Sequence, residues 1–201
     1  MLIIAHRGFS SRYPENTLPA IHAAIRLGVD MVEIDVQETR DGELVVFHDY
    51  RLDRIYGVHK RVRDARRREL PDAPTLAEVL RLRFPLLIEV KGADAEKVAA
   101  LVRRRRDVIV FSVHPGKVRR LTGVTRFGLY ARQIQFPPGV TGLGLSRRLV
   151  TSPAIVRRVH RRGLKLFVWT VNRRAEMEKL ARWGVDGLIT NSPDRALNLE
   201  P

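Results

Sequence analysis

The stretch Met31-Val32-Glu33-Ile34-Asp35-Val36 alternates apolar and acidic residues. This alternation predicts a strand, and it places Glu33 and Asp35 on the same face because side chains at i and i+2 point the same way. Two neighbouring carboxylates repel each other, so the pair suits a bound divalent cation. Acids on a strand are also often just its solvated face, and the pair alone does not decide between the two interpretations.

A hairpin predicted after this strand returns a histidine to the two acids. Only Arg40-Asp41-Gly42 separates residues 35–39, at the end of this segment, from a second apolar run at residues 43–48. So short a turn permits only an antiparallel pair of strands. Pairing about the turn sets His48 opposite Ile34, and His48 is therefore expected at the level of the two acids.

The rest of the chain predicts an α/β fold in which strands and helices alternate. Apolar runs predict eight parallel strands, at residues 2–6, 31–36, 86–91, 108–113, 126–131, 142–146, 164–171 and 187–190. Amphipathic and capped segments predict helices at residues 17–27, 75–82, 94–105, 152–163 and 173–183. This alternation predicts a compact TIM (β/α)8 barrel with a short hairpin excursion after strand 2. A doubly wound open sheet is the alternative, because residues 127–149 offer their strands almost no helix.

Length and composition fit one barrel domain over residues 1–201, and they restrict the function. No apolar run approaches the roughly 18 to 20 residues that cross a bilayer. Leu2-Ile3-Ile4-Ala5 leads straight into His6, which predicts a first strand rather than a signal peptide. The chain has no cysteine, which excludes disulfides and thiolate chemistry. A cytoplasmic location is expected.

Arginine dominates a basic composition, with 37 lysines and arginines against 22 acids and a net charge of +15. The arginine clusters, such as residues 103–106, lie mostly in predicted helices and are expected to form solvated faces. Attraction to anionic surfaces or to nucleic acid is the other interpretation. Aromatic residues, which single-stranded nucleic-acid sites use for stacking, do not interleave with the clusters, so no nucleic-acid partner is expected. The sequence does not predict an oligomeric state.

The residues suited to catalysis lie at the predicted carboxyl ends of strands, where barrel enzymes have their active sites. They are His6 and Arg7 after the first strand, Glu33 and Asp35 on the second, His48 on the hairpin, Glu89 and Lys91 on the third, and Trp169 on the seventh. A glutamate pointing into a barrel is costly unless paired or metal-bound, so Glu89 is predicted as a third ligand. Three carboxylates indicate a hard cation, Mg2+ or Ca2+. With two cationic side chains and two histidines, the set predicts cleavage of a phosphate ester.

In their order along the chain, these motifs resemble the glycerophosphodiester phosphodiesterase family, in its compact microbial form. The matching stretches are His6-Arg7-Gly8, Pro14-Glu15-Asn16-Thr17, Val32-Glu33-Ile34-Asp35-Val36, Asp41-Gly42, Val46-Phe47-His48-Asp49, Ile88-Glu89-Val90-Lys91 and Val168-Trp169-Thr170-Val171-Asn172. The resemblance implies an α/β barrel that hydrolyses small glycerophosphodiesters to sn-glycerol 3-phosphate and an alcohol. It leaves open whether the nucleophile is water or the glycerol hydroxyl of the substrate.

The resemblance also implies a role for each of the eight candidate residues. The roles are acid–base catalysis for His6 and His48, binding of one divalent cation for Glu33, Asp35 and Glu89, phosphate binding for Arg7 and Lys91, and contact with the glycerol for Trp169. Gly8 is expected to serve backbone geometry and so to leave room for a phosphate beside Arg7. Asn16 and Thr17 are expected to cap the first helix.

Two features depart from the family pattern. The late Gly-x-x-Thr-Asp motif ends here in Asn191, and the lost charge is not expected to affect activity. The insertion after the His-Asp pair is short, residues 50–72, and is rich in arginine, so it is expected to influence substrate choice. The histidines outside the motifs, among them His114, are expected at the surface or in packing.

Two other functions stay open at the level of sequence. A lysophospholipase D would use the same site on a single-chain lipid, and it would need an apolar track at the barrel mouth. A basic anion-binding or nucleic-acid-binding protein on a barrel scaffold would be expected to lack one or more of the site residues.

Overall fold

Eight parallel strands pair side by side into a closed ring in the structure, a computed structural model that describes residues 1–199. The strands are β1 (Leu2–His6), β2 (Met31–Glu38), β4 (Leu86–Val90), β5 (Val108–Ser112), β6 (Thr125–Tyr130), β7 (Gly142–Ser146), β8 (Lys165–Trp169) and β9 (Gly187–Thr190). The ring closes because β1 pairs with β9 on one side and with β2 on the other. The predicted barrel is confirmed, and the open sheet is wrong.

Helices lie between most of the strands and surround the barrel. They are α1 (Leu18–Leu27), α2 (Asp53–Tyr56), α3 (Leu76–Leu80), α4 (Ala95–Val102), α5 (Pro115–Arg120), α6 (Pro153–His160), α7 (Arg174–Arg182) and α8 (Pro193–Leu197). The five predicted helices begin at or next to the predicted residues, and α3, α4 and α6 end two to three residues early. Helices α2, α5 and α8 are short and were not predicted. Among residues 1–199, no helix has both the length and the apolar character that spanning a bilayer requires.

The hairpin has the predicted register. Strand β3 (Leu44–Val46) runs antiparallel to β2, with Val36 opposite Val46. The backbone N–H of Phe47 donates to the carbonyl of Asp35 over 2.9 Å, which continues the pairing one residue further. His48 follows directly, and the short turn therefore brings it back to the acids of β2.

The connection between β6 and β7 replaces a helix with extended chain. Residues 131–141, all of them described, contain no helix. Phe136 lies instead under α6, with the guanidinium carbons of Arg162 and Arg158 at 4.2 and 5.3 Å from its ring centroid. The barrel therefore closes although residues 131–141 contain no helix, the feature that had favoured an open sheet.

Three glycines give large side chains room inside the barrel. A Cβ on Gly187 would lie 2.8 Å from the Phe167 ring, and one on Gly142 would overlap the ring of Phe127. A Cβ on Gly144 would lie 2.8 Å from Cδ1 of Leu129 on β6. The two phenylalanine rings pack at 4.8 Å and fill the interior below the mouth.

Candidate functional site

Strand register brings the predicted site residues to the carboxyl ends of three adjacent strands. His6 on β1 is level with Glu33 on β2, and Asp35 is level with Glu89 on β4. The hairpin adds His48 from the side. The sequence predicted these residues at one mouth, and in the structure all of them except the fully buried Asp35 line one cavity.

Glu33, Asp35 and Glu89 form an acidic cluster at the base of this cavity. One carboxylate oxygen from each lies within 4.8 Å of the others. Burial, reinforced by the charge of Asp35, raises the pKa of Glu33 well above its usual range and raises that of Glu89 to about 7. The Oδ1 atom of Asp35 is buried without a hydrogen-bond partner. A divalent cation would satisfy this oxygen and remove the repulsion among the three acids, so the cluster fits a hard metal ion.

Two cations border the acids. Arg7 places its Nε 3.1 Å from Oδ2 of Asp35, and Lys91 places its Nζ 3.7 Å from Oδ1 of Asp35 and 3.5 Å from Oε1 of Glu89. Burial opposes the ionisation of Asp35, but Arg7, His48 and Lys91 outweigh it and lower the pKa of this carboxyl. Both cations line the cavity, where an anionic ligand would contact them.

The backbone at Arg7 is in the left-handed region, with a φ of 57°. Its N–H donates to Oε2 of Glu33 over 3.0 Å, so the main chain also holds an acid in place. Non-glycine residues in this conformation cost of order 1–3 kcal/mol and cluster at functional sites.

His6 is held by an amide. Its Nδ1 lies 2.6 Å from Oδ1 of Asn191, while its Nε2 lies 3.8 Å from Oε2 of Glu33. The asparagine oxygen accepts from an Nδ1–H, which leaves Nε2 as the nitrogen free to take up a proton. Burial, with help from Arg7, lowers the pKa of His6 to about 4.

His48 is held by a carboxylate. Its Nδ1 lies 2.6 Å from Oδ1 of Asp49, so Nδ1–H donates to the acid and Nε2 is the nitrogen free to exchange a proton. Burial and Arg7 lower the pKa of His48, and the carboxylates of Asp35 and Asp49 oppose this shift.

A series of ion pairs links Arg7 to His48. Nη1 of Arg7 contacts Oε1 of Glu15 at 3.0 Å, and Arg54 contacts the same oxygen at 2.5 Å. Arg54 also contacts Asp49, the partner of His48, at 2.5 Å. The series joins the motif after β1 to the insertion after the hairpin.

The cavity at the mouth has a volume of about 420 Å³ and two unlike walls. One wall carries the histidines, acids and cations described above. The other is apolar and includes Phe111, Leu129, Ile189 and the predicted contact residue Trp169. The indole Nε1 of Trp169 is buried without a hydrogen-bond partner. A ligand in this cavity would meet a charged face and an apolar face at once.

Expectations about residues near the site have mixed outcomes. Gly8 has the expected backbone role, with a φ of 80°, and its missing side chain makes room for α1, because a Cβ there would lie 2.6 Å from the carbonyl carbon of Ala20. Thr17 caps α1 as predicted, but Asn16 instead exchanges hydrogen bonds with Asp35, at 2.9 Å through its Nδ2 and at 3.3 Å through its Oδ1. His114 is exposed, as expected, and it also lines the cavity, with its Nε2 3.3 Å from the hydroxyl of Tyr50.

Sequence reasoning missed the residues that orient the candidate side chains. Asn191 contacts His6 directly, although only its lost charge was considered. Asp49 belongs to a matching stretch in which only His48 has a predicted role. Arg54 is one of many arginines in a basic chain. Two positions in the sequence could have indicated these roles: Asp49 directly after His48, and Asn191 directly after the last strand.

Comparison with known proteins agrees with this geometry. The family model described as glycerophosphoryl diester phosphodiesterase matches residues 6–98 and 123–195. The glycerophosphodiester phosphodiesterase of Caldanaerobacter subterraneus subsp. tengcongensis is 32% identical and covers 98% of this chain and 97% of its own. That of Bacillus altitudinis is 30% identical, with coverages of 98% and 97%.

Solved structures show the same barrel. The glycerophosphodiester phosphodiesterase of Thermotoga maritima superposes with a TM-score of 0.91 at 27% identity, covering 100% of this chain and 98% of that one. An Oleispira antarctica phosphodiesterase, solved with the product sn-glycerol-3-phosphate, gives a TM-score of 0.85 at 23% identity and coverages of 98% and 95%. The residues that match the family model run from the end of β1 to beyond β9, and they include the histidines and acids at the barrel mouth. The chain therefore belongs to the glycerophosphoryl diester phosphodiesterase family of enzymes.

Proposed function

We propose that the chain hydrolyses small glycerophosphodiesters to sn-glycerol 3-phosphate and an alcohol, within a single barrel domain. One observation carries the proposal: His6, His48, two cations and two acids line one cavity, and a third acid lies within 4.8 Å of those two, in a chain of this family. The Oleispira antarctica protein was solved with that glycerol phosphate, which supports the same product here. The cytoplasmic location stays a prediction.

Glu33, Asp35 and Glu89 would hold one divalent cation, Mg2+ or Ca2+. The all-oxygen donor set and the unpartnered Oδ1 of Asp35 support a hard cation. When bound, the cation supplies positive charge to the phosphate oxygens and stabilises charge that develops on them.

His6 and His48 are proposed as the acid–base pair. Each ring is fixed through Nδ1, so each presents Nε2 as the atom that moves a proton. One ring takes the proton of the attacking hydroxyl or water, and the other donates a proton to the leaving alcohol. The apolar wall, which includes Trp169, limits water on the glycerol side of the cavity.

Arg7 and Lys91 are proposed to bind the phosphate. Both lie within 4 Å of acids of the cluster, so a phosphate bridging them would also lie next to the cation site. Ion pairs with the acids hold the charged ends of Arg7 and Lys91 in place at the cavity. The arginines on the outer helices therefore cannot replace them.

A lysophospholipase D activity is the second candidate, because a further cavity adjoins His48. It has a volume of about 550 Å³, and apolar side chains such as Tyr13, Phe47, Ile55 and Tyr56 line much of it. This cavity supplies the kind of apolar space that the sequence alone did not reveal. A binding protein without catalysis is the third candidate.

A substrate panel separates these functions. The purified protein is supplied with Mg2+ or Ca2+ and incubated with glycerophosphocholine, glycerophosphoethanolamine, glycerophosphoglycerol and a lysophosphatidylcholine. The proposal predicts release of sn-glycerol 3-phosphate from the first three. Turnover of the lysolipid alone would favour the second candidate, and no turnover of any diester would refute the proposed function.

A further inference from the structure

We propose that Arg54 is a positioning residue that fixes Arg7 and His48 relative to each other across the candidate site. The inference rests on the proposed function, since it gives Arg54 a part in that reaction. The connection runs through two carboxylates, Glu15 and Asp49, which none of the predicted roles uses.

Arg54 divides its guanidinium between these two acids. Its Nη2 lies 2.5 Å from Oε1 of Glu15, and its Nε lies 2.5 Å from Oδ2 of Asp49. The same Glu15 oxygen lies 3.0 Å from Nη1 of Arg7, and the other Asp49 oxygen lies 2.6 Å from Nδ1 of His48. One unbroken series of charged contacts therefore spans from the candidate phosphate-binding residue to the candidate acid–base residue.

The planar shape of the guanidinium suits this task. Two of its nitrogens donate in fixed directions, so it sets both the distance and the angle between the two carboxylates. Burial opposes the ionisation of Glu15 and Asp49, but their contacts with Arg54 and with Arg7 or His48 lower the pKa of each. Both acids are thus ionised at neutral pH, so each forms a charge-assisted hydrogen bond with Arg54.

The main chain around Arg54 is anchored, although its side chain is about half exposed. Arg54 lies on α2, and Leu52, the residue directly before this helix, is buried with 1% exposure. Tyr56 at the end of α2 stacks on Phe47 with a centroid separation of 5.9 Å. Phe47 is the residue before His48, so the insertion is packed onto the same hairpin that it orients. The insertion therefore contacts the candidate site through Arg54 as well as through Tyr50, which lines the cavity.

Arg51 provides a matched control on the same segment. Its side chain is 39% exposed against 49% for Arg54, and it makes an ion pair of 3.0 Å with Asp53. Asp53 contacts no candidate site residue among the described contacts. Replacing Arg51 removes the same charge from the same insertion and leaves the series to His48 intact.

The test compares Arg54→Gln, Arg54→Lys and Arg51→Gln in the full chain with added Mg2+ or Ca2+. With Arg54→Gln, kcat is expected to fall about 10- to 100-fold because misplacement of a catalytic group is costly, while KM changes less than about threefold. Arg54→Lys keeps the charge but not the fork, so it should recover only part of the loss. Arg51→Gln should keep the kcat and KM of the unmodified protein. Thermal melting checks that all three variants are folded.

Several outcomes would overturn the proposal. A kcat for Arg54→Lys equal to that of the unmodified protein would show that charge alone is needed. A raised KM with unchanged kcat would give Arg54 an electrostatic effect on binding only. An equal loss in Arg51→Gln would assign the effect to the insertion as a whole.

A second variant, Asp49→Asn, keeps the inference testable if Arg54→Gln is unstable: it should lower kcat by about 10- to 100-fold, and an unchanged kcat would overturn the proposal. Where both variants fold, the double variant tests whether they act through one series. Asp49→Asn breaks the same series next to His48, so Arg54→Gln added to Asp49→Asn should lower kcat less than twofold further. Fully multiplicative losses would contradict a shared series. If the unmodified protein hydrolyses no diester, the proposed function fails; if it is active and Arg54→Gln matches it, only the present inference fails.

Discussion

Replacement of Gly142 by alanine tests the account of the barrel interior. A Cβ at this position would overlap three carbons of the Phe127 ring, the least close of them at 2.7 Å. The ring cannot move freely, because Phe127 is 2% exposed and packs against Phe167 at 4.8 Å. Overpacking of this kind costs about 2 to 3 kcal/mol, and the loss of glycine flexibility in the unfolded chain returns about 0.5 to 1 kcal/mol.

The net effect is a destabilisation of about 1 to 2.5 kcal/mol, which lowers the Tm of a chain of this length by about 2 to 10 °C. Thermal unfolding followed by circular dichroism measures it. Gly116→Ala is the control, because Gly116 lies in α5 with no other group within 4 Å of its added Cβ. This control should raise the Tm slightly. A Gly142→Ala protein as stable as the unmodified chain would refute the interior packing described above.

Three further predictions concern the site and the surface. His6→Ala and His48→Ala should each lower kcat about a hundredfold or more with little change in Tm, as steady-state kinetics and melting curves would reveal; near-normal turnover would remove that ring from the mechanism. Arg7→Gln should lower kcat/KM at least about tenfold, whereas glutamines at the exposed Arg103, Arg104 and Arg106 should leave it nearly unchanged because exposed charges are screened beyond roughly 8 Å; equal losses would move phosphate binding to the surface. Arg105 of the same cluster is left in place, because it pairs with Asp107 and donates to two backbone carbonyls and is not the solvated side chain that the sequence predicts. Asp186→Asn should lower the Tm at pH 7, because this carboxylate pairs with Lys165 and accepts from the backbone N–H of Leu166 and from the ring of His160, and together these contacts outweigh burial and lower its pKa. This stabilisation is present above the unfolded pKa of about 4 and is lost as pH falls through the lower folded value, so the Tm difference should vanish in strong acid; a difference that persists there would contradict the ion-pair explanation.

The barrel and the gathering of the site were predictable because they follow from local rules. Alternation put Glu33 and Asp35 on one face, and a three-residue turn permitted one hairpin register for His48. The sequence also placed Glu89 on a strand of its own. The parallel register that makes Asp35 level with Glu89 is a tertiary property, and it was expected only through the shared mouth of the barrel.

The residues that orient the site were not predictable in the same way. Asn191 reaches His6 only because the last strand closes against the first, across 185 positions of sequence. Arg54 resembles every other arginine of a strongly basic chain until α2 is packed on the hairpin. The sequence indicates a backbone role for Gly8, but the close approach of α1 that excludes a side chain there is visible only in the fold. Contacts between distant elements decide these roles, and sequence periodicity does not encode them.

The carboxylate cluster makes the central claim directly measurable. Hydrolysis of glycerophosphocholine to sn-glycerol 3-phosphate is followed before chelation, after removal of all divalent metal, and after addition of Mg2+ or Ca2+. Glu89→Gln serves as a site variant, and Glu43→Gln, which changes an exposed acid of the hairpin, serves as its control. The account predicts that activity disappears on chelation, returns with the added cation in the unmodified and Glu43→Gln proteins, and stays low in Glu89→Gln. Full activity in protein shown to be metal-free would contradict it.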